Sequence, residues 1–177
     1  GRGSNSGDLF IKSVNWKPII TAPHGYVLGL AFGIILESDL IVAEEGTQIQ
    51  LTETSRGLGG SKYWRLMQYR GSSTFSTEVA LTGRFFTAEE GHAAGFIDRI
   101  APKGKHLETA RELAQQVNTN PPLSVRATVR TRRLEMERIG KEAQSQINAL
   151  KLFLTEDFQE AAKAFTEKRK PSKFKGR

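Results

Sequence analysis

An α/β fold with a helical C-terminal region is predicted by three features of the chain. Short apolar runs of strand length alternate with short helical segments as far as about residue 104. Beyond that point the apolar periodicity is helical only. The 177 residues are 38% hydrophobic and 25% charged, which suits one packed domain and argues against wholesale disorder.

The elements follow in order. Lys17–Ala22 reads as a buried strand, with Pro18 near its start, where a proline is tolerated. His24-Gly25-Tyr26 is a turn, and Val27–Glu37, apolar on nearly every side, is a buried helix. Leu40–Ala43 and Thr47–Leu51 are strands. Gly57–Gly60 is a loop opening a helix from Ser61 to about Tyr69, and a second helix covers Ser76–Leu81. Thr87-Ala88-Glu89-Glu90 is a capping box for a helix that stops near Gly95, and Phe96-Ile97 is a further strand. Leu107, Ala110, Ala114 and Val117 fall on one helical face, which Pro121-Pro122 ends while starting the next helix. Ala143, Ile147, Leu150 and Leu154 form another stripe. Thr155 is an N-cap, with Phe158, Ala161, Ala162 and Phe165 as the buried face of the last helix.

The absence of cysteine excludes disulfides, thiolate metal sites and thiol nucleophiles, and fits a reducing compartment. The longest apolar stretch, Val27–Leu36, is far short of the ~20 residues that span a bilayer, and no signal peptide is visible. Gly1–Gly7 has linker composition, with no initiator Met. The net charge of +7 is uneven: residues 101–177 carry 17 basic and 9 acidic side chains, and Lys168–Arg177 holds six basic residues and no acid. Such a tail suits a phosphate-bearing partner or is a solvated terminus. Arg126, Arg130 and Arg133 fall near one helical face, but Glu135, Glu137 and Glu142 interrupt it and no aromatic platform is interleaved, so nucleic acid is the least favoured partner.

No metal site is evident, because His24, His92 and His106 lack ligand spacing; His92 and His106 are expected at the surface and His24 in a structural or solvated turn. Gly25–Gly33 is a glycine-rich turn entering an apolar helix. It either offers free backbone N–H groups to an anion or oxyanion, or is glycine used for tight packing. Glu53, between a strand and the glycine loop, is a candidate general base; the alternative is a solvated side chain. Glu37 and Asp39 flank a helix end and read as structural.

Taken in order, KPIITAPHGYVLG, ESDLIVA, the stretch Gln48–Gly60, LTGRFFTAEEGHAAGFIDRI and TEDFQEAAKAFTEKRKP resemble the crotonase superfamily, the enoyl-CoA hydratase/isomerase family, over about residues 17–174. The resemblance implies a crotonase-like ββα spiral, here partial, followed by C-terminal helices. It divides the chain into a linker-like start (1–16), a spiral core with the catalytic elements (17–104) and a helical trimerisation region with a basic tail (105–177). It implies an acyl-CoA thioester substrate, with coenzyme A part of the substrate and no tightly bound cofactor. It also implies homotrimers or hexamers, and the cytoplasm or, in a eukaryote, the mitochondrial matrix.

By the same resemblance, the Leu30 amide, beside Gly29, is one of two oxyanion-hole donors. The other belongs to an upstream FxAGxD-like segment that this sequence lacks, along with roughly the first third of a family member. Hydratases of the family use two glutamates, whose positions fall on Gly33 and Glu53, and the loop after Glu53 (TSRGLGG) is shorter than usual. A lone Glu53 acid/base favours isomerase-like proton transfer over efficient hydration. Lys168 corresponds to a lysine that reaches the CoA phosphates, Arg169 and Lys170 add to its field, and Phe165 packs near the acyl pocket. The alternative is a non-catalytic homologue that holds acyl-CoA or assembles subunits.

Overall fold

The first four strands alternate between two sheets, and this alternation builds the core. The computed structural model describes residues 16–177; the linker-like start lies outside them, apart from Trp16. Strands β1 (Ile20–Thr21), β3 (Leu40–Glu44) and β6 (Arg99–Ala101) form one parallel sheet, in the order β1-β3-β6. Strands β2 (Tyr26–Leu28), β4 (Gln48–Gln50) and β5 (Phe86–Thr87) form the other, with β2 parallel and β5 antiparallel to β4. Helix α1 (Leu30–Glu37) joins the first strand pair to the second. Two strands and a helix per turn give the expected ββα spiral.

Helices α2 (Ser61–Arg70), α3 (Ser73–Thr82) and α4 (Ala88–Ala93) follow the second pair, and α5 (His106–Asn118), α6 (Pro122–Asn148) and α7 (Glu156–Thr166) complete the chain. The Thr87 capping box forms as expected: Thr87 Oγ1 accepts from Glu90 N, and Glu90 Oε2 accepts from Thr87 N. Pro122 is the first residue of α6, and Thr155 caps α7 by accepting from Phe158 N.

The central strand β3 buries Ile41, Val42 and Ala43 completely, which explains its unbroken apolar run. Between the sheets and helices, Phe32, Phe86 and Phe96 meet edge to face, with centroids 5.7–6.2 Å apart. Asp39 accepts from Ile19 N at 2.8 Å and pairs with the fully buried Arg133 of α6, whose guanidinium also donates to the Lys17 carbonyl. This buried pair ties the long helix to the first sheet.

Several elements depart from the sequence reading. Val27 and Leu28 belong to β2 rather than to the following helix, because their backbone pairs with Ile49 and Gln50. Phe96-Ile97 is not a strand; both amides bond back to the Gly91 carbonyl, and the strand begins at Arg99. The stripe from Ala143 to Leu154 is broken where α6 ends; Lys151 has a positive φ of 43°, and Leu150 and Leu154 are exposed. On α7 the buried residues are Ala161 and Ala164, while Ala162 and Phe165 face outward. Arg133 cannot track a phosphate backbone with Arg126 and Arg130, because Asp39 already holds it in the core. Among the described residues no helix is long and apolar enough to cross a membrane.

Candidate active site

Two parallel strands deliver two chemically different groups to one sheet edge. In register, Leu28 of β2 lies beside Gln50 of β4. Parallel neighbours leave the sheet on the same side. One chain therefore runs into Gly29 and the start of α1, and the other into Thr52 and Glu53.

Gly29 has φ 53° and ψ −118°, a conformation for which only glycine is suited. A β-carbon there would also lie 3.2 Å from Thr52 Oγ1, so the two segments touch. The first amide of α1 to bond within the helix is Gly33 N, which donates to the Gly29 carbonyl at 3.2 Å. The N–H groups of Leu30, Ala31 and Phe32 precede it and have no acceptor within the helix. No side chain caps this end and no acid stands in its first turn, leaving its partial positive charge uncompensated. Leu30 and Ala31 are exposed, whereas Phe32 is fully buried, so the turn is open to a ligand at its first two residues.

Glu53 precedes a 3₁₀ turn at Thr54–Arg56, and its carbonyl accepts from Arg56 N at 3.0 Å and Leu58 N at 2.8 Å. The glycine loop then folds against its side chain: a β-carbon at Gly60 would lie 3.5 Å from Glu53 Cβ. Glu53 Oε2 is buried without a hydrogen-bond partner, and Glu53 forms no ion pair among the described residues. Burial pushes the carboxyl above its ordinary pKa, against the lowering effect of hydrogen bonds from its own amide and from Thr52. A desolvated carboxylate can move a proton, and amides without a helical acceptor can stabilise negative charge.

These features coincide with family evidence. A family model described as enoyl-CoA hydratase/isomerase matches residues 8–177. The chain belongs to the enoyl-CoA hydratase/isomerase family. A mevalonyl-coenzyme A hydratase of Aspergillus fumigatus is 35% identical over 88% of this chain and 59% of its own length. An enoyl-CoA hydratase of Mycobacterium tuberculosis is 33% identical over 88% of this chain and 60% of its own. The solved structure of a carnitinyl-CoA hydratase from Mycobacterium avium superposes with a TM-score of 0.76 at 30% identity, covering 95% of this chain and 66% of that one. The chain thus spans about 60% of the length of the curated relatives it matches.

Against that family frame, the expected residues fare unequally. Gly29 and Leu30 leave the sheet at the same edge as Thr52 and Glu53, with Gly29 against Thr52. Phe165 is 64% exposed and does not pack in the core; the Arg56 guanidinium lies 3.7 Å above its ring. Since Arg56 follows Glu53 by three residues, and a β-carbon at Gly57 would touch the Phe158 backbone at 3.0 Å, α7 does rest against the Glu53 loop. Lys168 has φ 53° just past α7, is exposed, and forms no ion pair among the described residues. Arg169 is already committed to Glu160 and Glu167. Those carboxylates neutralise the charge that a phosphate would meet.

Two features escaped the sequence reading. His106 is not a surface residue: its Nδ1 meets Glu44 Oε2 at 2.8 Å, and its ring stacks on His24 with centroids 4.8 Å apart. The other is Tyr63 of α2, whose hydroxyl lies 2.8 Å from where a Gly33 β-carbon would stand. Its phenol is pushed up to about 12 by burial and by the charges of Glu53 and Glu37. The available signal was Gly33 itself, since volume given up at one position is filled from another in a packed interior. Among the described residues no cluster of His, Asp or Glu is suited to hold a metal ion.

Proposed function

We propose that the protein acts on acyl-CoA thioesters, with the Leu30 amide meeting the thioester oxygen as it becomes negative and Glu53 as the acid/base. The observation that carries this reading is the partnerless, buried Oε2 of Glu53 on the sheet edge that also bears the open end of α1. A single carboxylate suits a 1,3-proton shift, in which one group takes a proton from one carbon and returns it to another. Hydration asks for two proton-handling groups. The reaction is therefore isomerase-like more than hydratase-like. Lys168 serves as the cation for the CoA phosphates, with Lys170 rather than Arg169 adding to its field.

The protein works as a homo-oligomer, a trimer or hexamer, on this reading. Support comes from the C-terminal region, where Leu123, Leu150, Phe153 and Leu154 are each more than half exposed. The test of function follows 3-enoyl-CoA and 2-enoyl-CoA with the purified protein. Rapid hydration that survives Glu53→Gln overturns the assignment, whereas isomerisation lost in that variant supports it. Tight acyl-CoA binding without turnover would favour the non-catalytic alternative instead.

A further inference from the structure

The space beside Gly33 is already occupied. A β-carbon there would lie 2.8 Å from both Cε1 and the hydroxyl oxygen of Tyr63, and 2.9 Å from Cζ, so any side chain at residue 33 collides with this ring. Tyr63 reaches from α2 to α1, edge-on to Phe32 with centroids 6.0 Å apart. It is half-buried and near enough to Glu53 to feel its charge. Three residues earlier, Gly60 rests against Glu53. The first turn of α2 and the loop before it thus close around the carboxylate and the flank of α1 together.

The chemistry of the occupant matters as much as its bulk. Hydration requires one group to take a proton from water and another to deliver a proton to carbon. A phenol that stays neutral at physiological pH does not take a proton from water, and its ring denies space to a side chain that could.

We propose that Tyr63 is a specificity-determining residue: its ring fills the volume that a second acid/base, or the water it would activate, needs, and so directs the site toward the 1,3-proton shift. This rests on the acyl-CoA reading of the Leu30–Glu53 edge. In the shift, the C2–H bond of a 3-enoyl thioester breaks. The proton passes to Glu53 and the electron pair to the thioester, as a dienolate. Glu53 then returns the proton to C4, and the double bond moves from C3=C4 to C2=C3. No oxidant, reductant or water is consumed. Glu53 is only partly exposed, so the proton it carries is expected to return to carbon before it exchanges with water.

The experiment supplies the purified protein with 3-enoyl-CoA deuterated at C2, then reads label at C4 of the product and the yield of 3-hydroxyacyl-CoA by mass spectrometry. The unsubstituted protein is expected to carry label to C4 in most turnovers, and Tyr63→Phe, which keeps the ring, is expected to do the same. The double variant Tyr63→Ala, Gly33→Glu is expected to lose most label transfer and to raise hydration relative to isomerisation by at least about tenfold. Complete loss of label to solvent in the unsubstituted protein overturns the proposal without any variant. An unchanged hydration ratio in a double variant that still isomerises overturns it too. Absence of both reactions from the unsubstituted protein overturns the acyl-CoA reading beneath it, and the proposal with it.

Discussion

Glu53 and Lys168 reach their places by different routes. Glu53 is delivered by backbone: parallel pairing of β2 with β4 sets its neighbour Thr52 against Gly29, and the glycine loop packs on its side chain. The basic tail is held by side-chain charge. Arg169 bridges Glu160 and Glu167, Lys175 and Arg177 pair with Glu156, and the amides of Lys175 and Gly176 donate to Asp157. A backbone register tolerates little adjustment, whereas exposed ion pairs exchange with salt and solvent. The first region is therefore expected to respond to single substitutions with large losses, and the second with small, salt-dependent ones.

The largest effect is expected at Glu53. Glu53→Gln keeps the shape and removes the proton acceptor, so kcat should fall about 10²- to 10⁴-fold with KM little changed. The pH dependence carries a sign. Because the carboxyl is raised, the acidic limb of kcat/KM should lie above the ordinary carboxylate value of about 4.3 and vanish in Glu53→Gln. Stability runs the other way. A raised folded-state pKa gives a contribution present below the unfolded value and lost as pH rises through the folded one. Glu53→Gln should thus be more stable than the unsubstituted protein at neutral pH, with the difference closing in acid. Thermal melts between pH 4 and 7 that show no such convergence would place Glu53 in water.

Gly29→Ala probes the backbone half of the same edge. Alanine must adopt φ 53°, ψ −118° and press its β-carbon toward Thr52 Oγ1. A cost of about 1–3 kcal/mol is expected, seen as a melting-temperature drop of roughly 2–4 °C per kcal/mol for a domain of this size. Any displacement of the Leu30 amide adds a fall in kcat. A variant that is fully stable and fully active would show that the start of α1 does no work at the site.

The two regions were also unequally legible in the sequence. The strands and helices around the site follow from apolar runs, the Thr87 capping box and the glycines, all of them local signals. Glu53 was recognisable as a carboxylate between strand and loop, but its burial depends on Gly60 closing over it, which no local pattern records. Tyr63 was missed because its role depends on what residue 33 lacks, thirty positions earlier. The tail misled in the opposite sense. Counting cations in Lys168–Arg177 hides the carboxylates of α7 that pair with them, since Glu156 and Glu160 are a turn or more distant in sequence but adjacent once the tail folds back. Phe165 was expected inward from its spacing with Phe158, yet two alanines, Ala161 and Ala164, take the buried face and leave it under Arg56.

The smallest effects separate Lys168 from its neighbour. Lys168→Ala removes an exposed cation that forms no ion pair among the described residues, so affinity for coenzyme A should weaken by about two- to fivefold at low salt, and by less at high salt. Arg169→Ala should barely alter that affinity, because Glu160 and Glu167 already neutralise the guanidinium. Its effect should fall on the tail instead. Arg169 and the Ser172 amide hold the Glu160 carboxyl far below the usual carboxylate range. That contribution is present above the unfolded value and is lost only as pH falls toward the depressed one. At neutral pH the tail should therefore stay docked on α7 in the unsubstituted protein. In Arg169→Ala it should be clipped faster after Lys173 or Lys175 by trypsin, while the core remains intact. If Arg169→Ala instead weakens coenzyme A binding as much as Lys168→Ala does, the two cations act together on the phosphates, and the Glu160 pairing breaks when ligand arrives.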